Sequence, residues 1–153
     1  MMRWLTPVLR TFFCVLMTTT AIGKLLDNRG FAEVIATYQF GIPEPVLLPL
    51  ALSVSLFELG LGLAILARLK LRGMAQLVVA VHAGYLALAA ITNLRGLHLT
   101  NCGCFGVFLA RPMTWMTVVE DAILLALALG FLWTATARSD TSTQGSGEAT
   151  AAA

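Results

Sequence analysis

The sequence predicts an all-α integral membrane protein, a four-helix bundle with a short interfacial helix between its first and second spanning helices. Of the 153 residues, 58% are apolar and only 12% are charged, which is about half the charged share of an ordinary soluble domain. Four apolar segments are also long enough to cross a hydrocarbon core of about 30 Å, which needs about 20 helical residues. Most of the surface is therefore expected to face lipid.

The spanning helices are predicted at residues 4–22, 46–67, 73–94 and 113–134. Arg10 interrupts the first segment and Glu58 the second, and such moderate polarity favours helices that pack on each other. The first segment resembles a signal peptide because Arg3 precedes an apolar stretch. However, Arg10 splits that stretch and no clear cleavage site follows it, so we expect a retained helix.

The linking and terminal segments are more polar. Residues 31–40 mix apolar and polar positions over a stretch too short to span, and Gly41 and Pro43 follow it, which predicts an interfacial helix. From Arg138 onward the chain is rich in Ser, Thr, Gly and Ala and cannot bury a core. We therefore divide the chain into a transmembrane domain, 1–137, and a disordered polar tail, 138–153.

Charge excludes one class of partner and predicts an orientation. A net charge of +2 with scattered basic residues offers no basic stripe for phosphates, so we expect no nucleic-acid partner and take the lipid bilayer as the environment.

The basic residues also predict the orientation in the membrane. One side of the membrane would hold Arg3, Arg10, Arg68, Lys70, Arg72 and Arg138, and the other would hold Lys24, Arg29, Arg95 and Arg111. Because basic short loops stay inside, both termini are predicted cytoplasmic in a plasma (inner) membrane, with the 102–104 loop extracytoplasmic, where disulfides persist.

Chemistry is concentrated at two cysteines that flank one glycine. A bridge between Cys102 and Cys104 closes a very small ring, and Gly103 has no side chain to resist the required torsions. Such a bridge is strained, which favours a labile exchange site over a structural staple. Two alternatives stay open: a metal site of His98, Cys102 and Cys104, or two ordinary reduced cysteines in a tight loop. Cys14, in the first apolar segment, is expected to behave as a small apolar side chain.

Ionisable residues inside spanning segments are costly and mark candidate functional positions. Glu58 and His82 lie about 13 Å from the cytoplasmic ends of their helices, which predicts a hydrogen-bonded pair. The alternative is a protonated Glu58 bonded to a backbone carbonyl or hydroxyl, and a neutral packed His82.

Near the other face of the membrane, Glu120 or Asp121 is a candidate proton acceptor for a thiol. The alternative is that their negative charges only stabilise the N-terminus of the fourth spanning helix. Lys24 is expected to neutralise one of these acids or to lower a cysteine pKa, unless it snorkels to the interface.

Three stretches form a recognisable pattern: Cys102 to Gly106 (CGCFG) after the third segment, Ala21-x-Gly-Lys24 at the end of the first, and Phe57 to Gly62 (FELGLG) in the second. The Phe31 to Tyr38 stretch and the prolines that follow it also match. The chain thereby resembles the methylamine utilisation protein MauE family, a branch of the DoxX-like four-helix membrane proteins, over about residues 10–130. It departs from the family pattern at Glu120-Asp121, where a basic residue is expected before the acidic position.

The resemblance implies disulfide formation or maturation of an extracytoplasmic protein, in the family the small subunit of methylamine dehydrogenase, with a thioredoxin-like partner. We interpret Cys102 and Cys104 as the redox pair of a thiol–disulfide oxidoreductase component, with Gly103, Glu58, Lys24 and Asp121 completing the candidate site. A quinone dissolved in the bilayer is the electron acceptor considered, although no sequence feature identifies its pocket. The competing hypothesis is a non-redox membrane assembly or metal-handling transport component that uses the cysteine loop for docking or ligation.

Overall fold

The computed structural model describes the backbone of residues 2–151 and the side chains of residues 4–137. Within these residues the chain forms five helices and no strand: α1 (Met2–Leu26), α2 (Asn28–Thr37), α3 (Glu44–Leu66), α4 (Leu71–Leu94) and α5 (Trp115–Ala151). Four stretches are long and apolar enough to cross a membrane, namely Trp4–Leu26, Glu44–Leu66, Leu71–Leu94 and Trp115–Ala137. The predicted all-α class with four spanning segments is confirmed.

Some boundaries differ from the prediction. α1 runs four residues past position 22 to Leu26, so Lys24 is part of the helix. α2 begins at Asn28 rather than at position 31, because Asp27 caps it: Asp27 Oδ1 accepts a hydrogen bond from the Gly30 N–H at 2.9 Å. α5 is continuous to Ala151, but the side chains of 138–153 lie outside those described. The disordered tail stays a prediction.

The helices are arranged with α1 between α3 and α5. The most extensive packing joins α1 to α3 and α4 to α5, whereas α3 and α4 meet over much less of their length. The short helix α2 lies against α3 at the end of the bundle where α4 and α5 are joined. A gap between α3 and α4 results.

Apolar side chains cover the outward faces of these helices. Trp4 and Trp133 are largely exposed at the end of the bundle that carries the N-terminus, and Trp115 is exposed at the opposite end. Tryptophan is enriched at both membrane–water interfaces, so two levels of tryptophan on an apolar surface are typical of a spanning bundle. The protein is a multi-pass membrane protein.

Two apolar cores are separated by a polar layer. One core contains Phe13, Met17, Ile65, Val78 and Phe131, with Cys14 packed against it as a small apolar side chain. The other, nearer the cysteine loop, contains Phe31, Tyr38, Ala51, Ala89, Leu99 and Cys102. Along the helices, Thr20, Lys24 and Glu58 fall between these cores, and all three are buried. A charged layer inside an apolar bundle is expensive unless its members are paired.

Candidate functional site at the cysteine loop

The loop between α4 and α5 is held by backbone pairing. The Cys102 N–H donates to the Arg111 carbonyl at 2.7 Å, and the Met113 N–H donates to the Leu99 carbonyl at 2.9 Å. Asn101 braces the turn, because its Oδ1 accepts from the Gly103 N–H at 2.9 Å and its Nδ2 donates to the Gly106 carbonyl at 3.1 Å. Sequence reasoning gave Asn101 no role, although an asparagine directly before a tight turn is a signal for such bonds.

Glycines allow the loop to approach α1 and α2. Gly103 has a φ of +72°, and a Cβ there would lie 2.9 Å from Val34 Cγ1 of α2. Gly106 has a φ of +73° and packs against the backbone of Gly23 in α1, where a Cβ on Gly23 would lie 2.5 Å from the Phe105 carbonyl oxygen. Only glycine adopts such torsions at little cost and also permits backbone-to-backbone contact. The loop is therefore docked on the bundle rather than free.

The two sulfurs of this loop are close together. Cys102 and Cys104 are free thiols whose Sγ atoms lie 2.9 Å apart, and the Cys104 N–H donates to Cys102 Sγ at 3.4 Å. A disulfide bond is about 2.05 Å long, so only a small movement separates the dithiol from a bridged pair. Cys102 is buried and Cys104 is partly exposed, so an external reagent meets Cys104 more readily.

The two thiols differ in acidity. The hydrogen bond with the Cys104 side chain lowers the pKa of Cys102 to about 7, against the opposing effect of burial. The same hydrogen bond, together with burial, raises the pKa of Cys104 far above its usual range, and the charge of Lys24 opposes this rise only weakly. Because the thiolate is the nucleophile and the better leaving group, the pair is chemically asymmetric. Cys102 is the sulfur of the reduced pair that forms the thiolate more readily.

This asymmetry predicts the pH dependence of alkylation. In the reduced protein, we expect the rate of Cys102 alkylation by iodoacetamide to rise with pH through a midpoint near 7, because the thiolate forms as pH passes the pKa. Cys104→Ala removes the hydrogen bond and leaves burial dominant, so the midpoint should move to about 9 or above, the ordinary pKa of a thiol or higher. Peptide mass spectrometry after timed alkylation measures both profiles. Coincident profiles for the two proteins would contradict the assignment.

Acidic and phenolic groups surround the pair. Asp121, near the start of α5, is buried, and its charge raises the pKa of both cysteines. Tyr38 donates its hydroxyl to the Cys102 carbonyl at 2.7 Å, and burial raises the pKa of this phenol so that it stays protonated. Glu120 instead forms an exposed ion pair with Arg111, with 2.7 Å between Oε1 and Nη2. The geometry thus puts Asp121, not Glu120, beside the sulfurs.

Lys24 occupies the polar layer beneath the loop. Its Nζ lies 2.6 Å from Glu58 Oε1, 2.7 Å from Glu58 Oε2 and 2.9 Å from the Tyr85 hydroxyl. Tyr85 also donates to Glu58, as does Thr20 at 3.3 Å. With Lys24 and Glu58 each 1% exposed, the expectations that Lys24 neutralises an acid of α5 or snorkels are both wrong. Sequence reasoning missed Tyr85 and Thr20.

The predicted Glu58–His82 pair is also wrong. His82 Nδ1 lies 2.8 Å from the Val78 carbonyl oxygen of its own helix, and its ring packs edge-on against Phe13 with centroids 5.2 Å apart. Equal depth did not bring Glu58 and His82 together, because α3 packs mainly on α1 and touches α4 little. His82 is therefore a packed core histidine, which was the alternative interpretation.

The metal alternative required His98 to join the two cysteines. His98 is exposed and lines a different groove, together with Asp27 and Glu33. Across the described side chains, no three His, Cys, Asp or Glu residues are grouped closely enough to hold a metal ion. The geometry therefore does not support this ligand set.

Two cavities flank the cysteine pair. The first, of about 230 Å³, lies between α2, α3, α4 and the loop, with a wall that is almost entirely apolar. The second, of about 400 Å³, lies between α1 and α5. Cys102, Cys104 and Asp121 line both cavities. Neither cavity is predictable from the sequence, because residues from several helices form each wall.

Comparison with known proteins identifies the family. The sequence profile of the family described as methylamine utilisation protein MauE matches residues 2–134. The chain belongs to this family. Three relatives are named methylamine utilization protein MauE. The relative from Paracoccus denitrificans is 28% identical over 121 residues, which cover 79% of this chain and 64% of the relative. The relative from Methylorubrum extorquens is 29% identical over 128 residues, covering 84% of this chain and 68% of the relative, and that from Paracoccus versutus is 30% identical over 122 residues, covering 80% and 65% respectively. The match thus spans about two thirds of the length of each relative. No solved structure matches.

The three stretches that carried the resemblance to the MauE family meet at one place in the fold. The loop glycine Gly106 packs on Gly23 of α1. The next residue, Lys24, binds Glu58 of the FELGLG stretch in α3. The family pattern therefore describes a single contact system that links the cysteine loop to the polar layer.

Proposed function

We propose that this MauE family member is a membrane thiol–disulfide oxidoreductase component that supplies disulfides to an extracytoplasmic protein. The observation that carries the proposal is the pair of unbridged Cys102 and Cys104 sulfurs, 2.9 Å apart in a loop fixed to the bundle. The partner we propose is a thioredoxin-like protein. The substrate we propose is a protein of methylamine metabolism such as the dehydrogenase small subunit, because the relatives carry methylamine utilisation in their names.

The exchange begins from the Cys102–Cys104 disulfide. A thiolate of the partner attacks Cys104 Sγ, the more exposed sulfur, and the bridge breaks with its electron pair leaving on Cys102. Cys102 is the better leaving group because its pKa is the lower of the two. The second thiolate of the partner then attacks the partner's own bridged sulfur and releases Cys104, which takes a proton. The partner ends oxidised and the cysteine pair reduced by two electrons.

The proposal includes the orientation of the loop toward the extracytoplasmic side. The side of the Arg68 to Arg72 loop carries six basic residues and the side of the cysteine loop carries four. Three of the six lie together at the short connection between α3 and α4. Basic residues in short loops are retained in the cytoplasm, which supports cytoplasmic termini.

Trapping of a mixed disulfide tests the proposal. In a Cys14→Ala background, Cys102→Ala leaves Cys104 as a single thiol, which can attack the disulfide of the oxidised thioredoxin-like partner in the reverse of the exchange. Cys102 is then absent and cannot release the partner, so a covalent complex with a second protein should accumulate in native membranes. Cys104→Ala should yield much less of the complex, because Cys102 is buried. Non-reducing electrophoresis and mass spectrometry detect the complex.

Two results would contradict the proposal. One is a wild-type pair that stays fully alkylatable in native membranes, without reductant, under all growth conditions. The other is a Cys102 to Cys104 loop that a membrane-impermeant thiol reagent cannot reach in intact cells after treatment with a membrane-impermeant reductant. Either result would favour the non-redox assembly component.

A further inference from the structure

The gap between α3 and α4 forms a groove that leads away from the cysteine pair. The apolar cavity beside the sulfurs and a second space of about 530 Å³ between α3 and α4 share three lining residues, Val54, Tyr85 and Leu88. Gly84 on α4 faces open space within this groove, and Phe57 on its opposite edge is half exposed. The two spaces therefore adjoin at the three shared side chains and together form an apolar path along the gap between α3 and α4.

The polar groups along this path are few. Asp121 and the two cysteines line the part beside the loop, and Tyr85 lies where the cavity and the groove meet. Ser53 and Glu58 line the groove itself, where the Glu58 carboxylate is held in its ion pair with Lys24. The Tyr85 hydroxyl is tied to Lys24 and Glu58. A ligand that fits these walls has a flat ring with oxygen atoms at one end and a long apolar tail at the other, because binding pockets match apolar walls with few placed polar groups.

The mouth of the cavity is also fixed. Arg95, at the end of α4, donates to the Tyr38 carbonyl at 2.8 Å and to the Gln39 carbonyl at 3.2 Å. Its guanidinium lies over the ring of Phe40, 5.4 Å from the centroid. Tyr38 and Phe40 line the cavity, so these contacts with Arg95 fix that part of its wall. A preformed site costs less to occupy than one that must be ordered on binding.

We propose that this path binds a membrane quinone, with its ring between the Cys102–Cys104 pair and Tyr85 and its isoprenoid tail in the groove between α3 and α4. The inference rests on the proposed thiol–disulfide function and names its electron acceptor. A lipid acyl chain would use the groove but not the redox-active end. A second copy of the chain would cover the groove from outside without reaching the sulfurs.

The proposed step balances as a two-electron transfer. The dithiol loses two electrons, two S–H bonds break and one S–S bond forms between Cys102 and Cys104. The quinone gains these electrons, and its two ring carbonyls become the hydroxyls of the quinol. The two thiol protons reach the quinol oxygens, one of them by way of the Asp121 carboxylate beside the sulfurs. No further oxidant is needed, and the disulfide is restored for the next exchange.

Oxidation of the reduced protein by decylubiquinone in detergent tests the site. The wild type should lose two alkylatable thiols and produce one quinol per protein. Leu88→Trp fills the junction of the cavity and the groove, and should slow this reaction by at least about tenfold, equivalent to about 1.4 kcal/mol of binding or activation free energy. Val54→Phe, a smaller change at the same junction, should slow it in the same direction. Leu63→Trp is the matched control because Leu63 lies on the outer face of α3, half exposed, and it should react as the wild type does.

Glutathione disulfide separates the two proposals, because it reaches the sulfurs without using the groove. The groove variants should retain wild-type rates with this oxidant, which also shows that they are folded. A wild-type pair that glutathione disulfide oxidises but decylubiquinone does not would overturn the quinone site and leave thiol–disulfide exchange standing. A pair that neither reagent oxidises would overturn both. Equal quinone rates in Leu88→Trp, Val54→Phe and Leu63→Trp would overturn the groove as the binding path.

Discussion

Lys24→Met is expected to lower the free energy of unfolding by about 3–5 kcal/mol, the usual cost of removing one partner from a buried ion pair. Glu58 would keep the Thr20 and Tyr85 hydroxyls as donors but would lose its counter-ion at a position 1% exposed. Because Glu58 is buried, water cannot replace the lost counter-ion. The Glu58 carboxylate must therefore take up a proton, or the helices around the polar layer must separate enough to admit water. Chemical unfolding in a defined detergent, followed by circular dichroism, measures the loss.

Two comparisons make this prediction specific. Lys24→Met combined with Glu58→Gln removes both charges and should recover most of the loss, because a neutral side chain is far cheaper to bury. Arg111→Met breaks the ion pair with Glu120, which is 2.7 Å long against 2.6 Å for the Lys24–Glu58 pair, but its side chains are 53% and 36% exposed. Its loss should lower the free energy of unfolding by only about 0–1 kcal/mol, because solvent screens the two charges. Equal losses for Lys24→Met and Arg111→Met would contradict the importance of the buried pair.

Gly106→Ala is expected to detach the cysteine loop from α1. The positive φ of +73° costs an alanine about 1–2 kcal/mol, and the added methyl group overlaps the backbone of Gly23, where overpacking typically costs a further 1–3 kcal/mol. Backbone cannot rotate away as a side chain can, so we expect the loop to move. Lower stability should therefore come with faster alkylation of Cys102, which is normally buried.

Gly96→Ala is the matched control. Gly96 lies in the same loop with a φ of +69°, but a Cβ there meets nothing within 4 Å. This variant should show only the torsional cost and an unchanged rate of Cys102 alkylation. If both glycine variants lost the same stability and both left alkylation unchanged, the contact between Gly106 and Gly23 would not fix the loop.

Composition and segment length were sufficient to predict the spanning helices. An apolar run of about 20 residues indicates a membrane-spanning helix, so the predicted bounds 46–67 and 73–94 lie within two residues of those of α3 and α4. The cysteine pair was equally visible, because two sulfurs one residue apart must be near each other in any fold.

Side-chain partners across the bundle could not be predicted in the same way. Depth along a helix follows from counting residues, but the rotation of each helix and the choice of its neighbours do not. Glu58 and His82 were paired because their helices follow each other in sequence, whereas α3 actually packs on α1 and meets Lys24. Lys24 itself was placed at the outer end of its helix, where the acids of α5 and the membrane interface were its expected surroundings. A glycine directly before it was the available signal of close packing.

The cysteine pair separates two cavities that approach it from opposite sides, one between α1 and α5 and one leading to the gap between α3 and α4. A molecule in the second need not leave before something else reaches the sulfurs. Each acceptor takes one electron pair and is then replaced from the bilayer, so the protein outside and the acceptor use separate entrances to the same sulfurs.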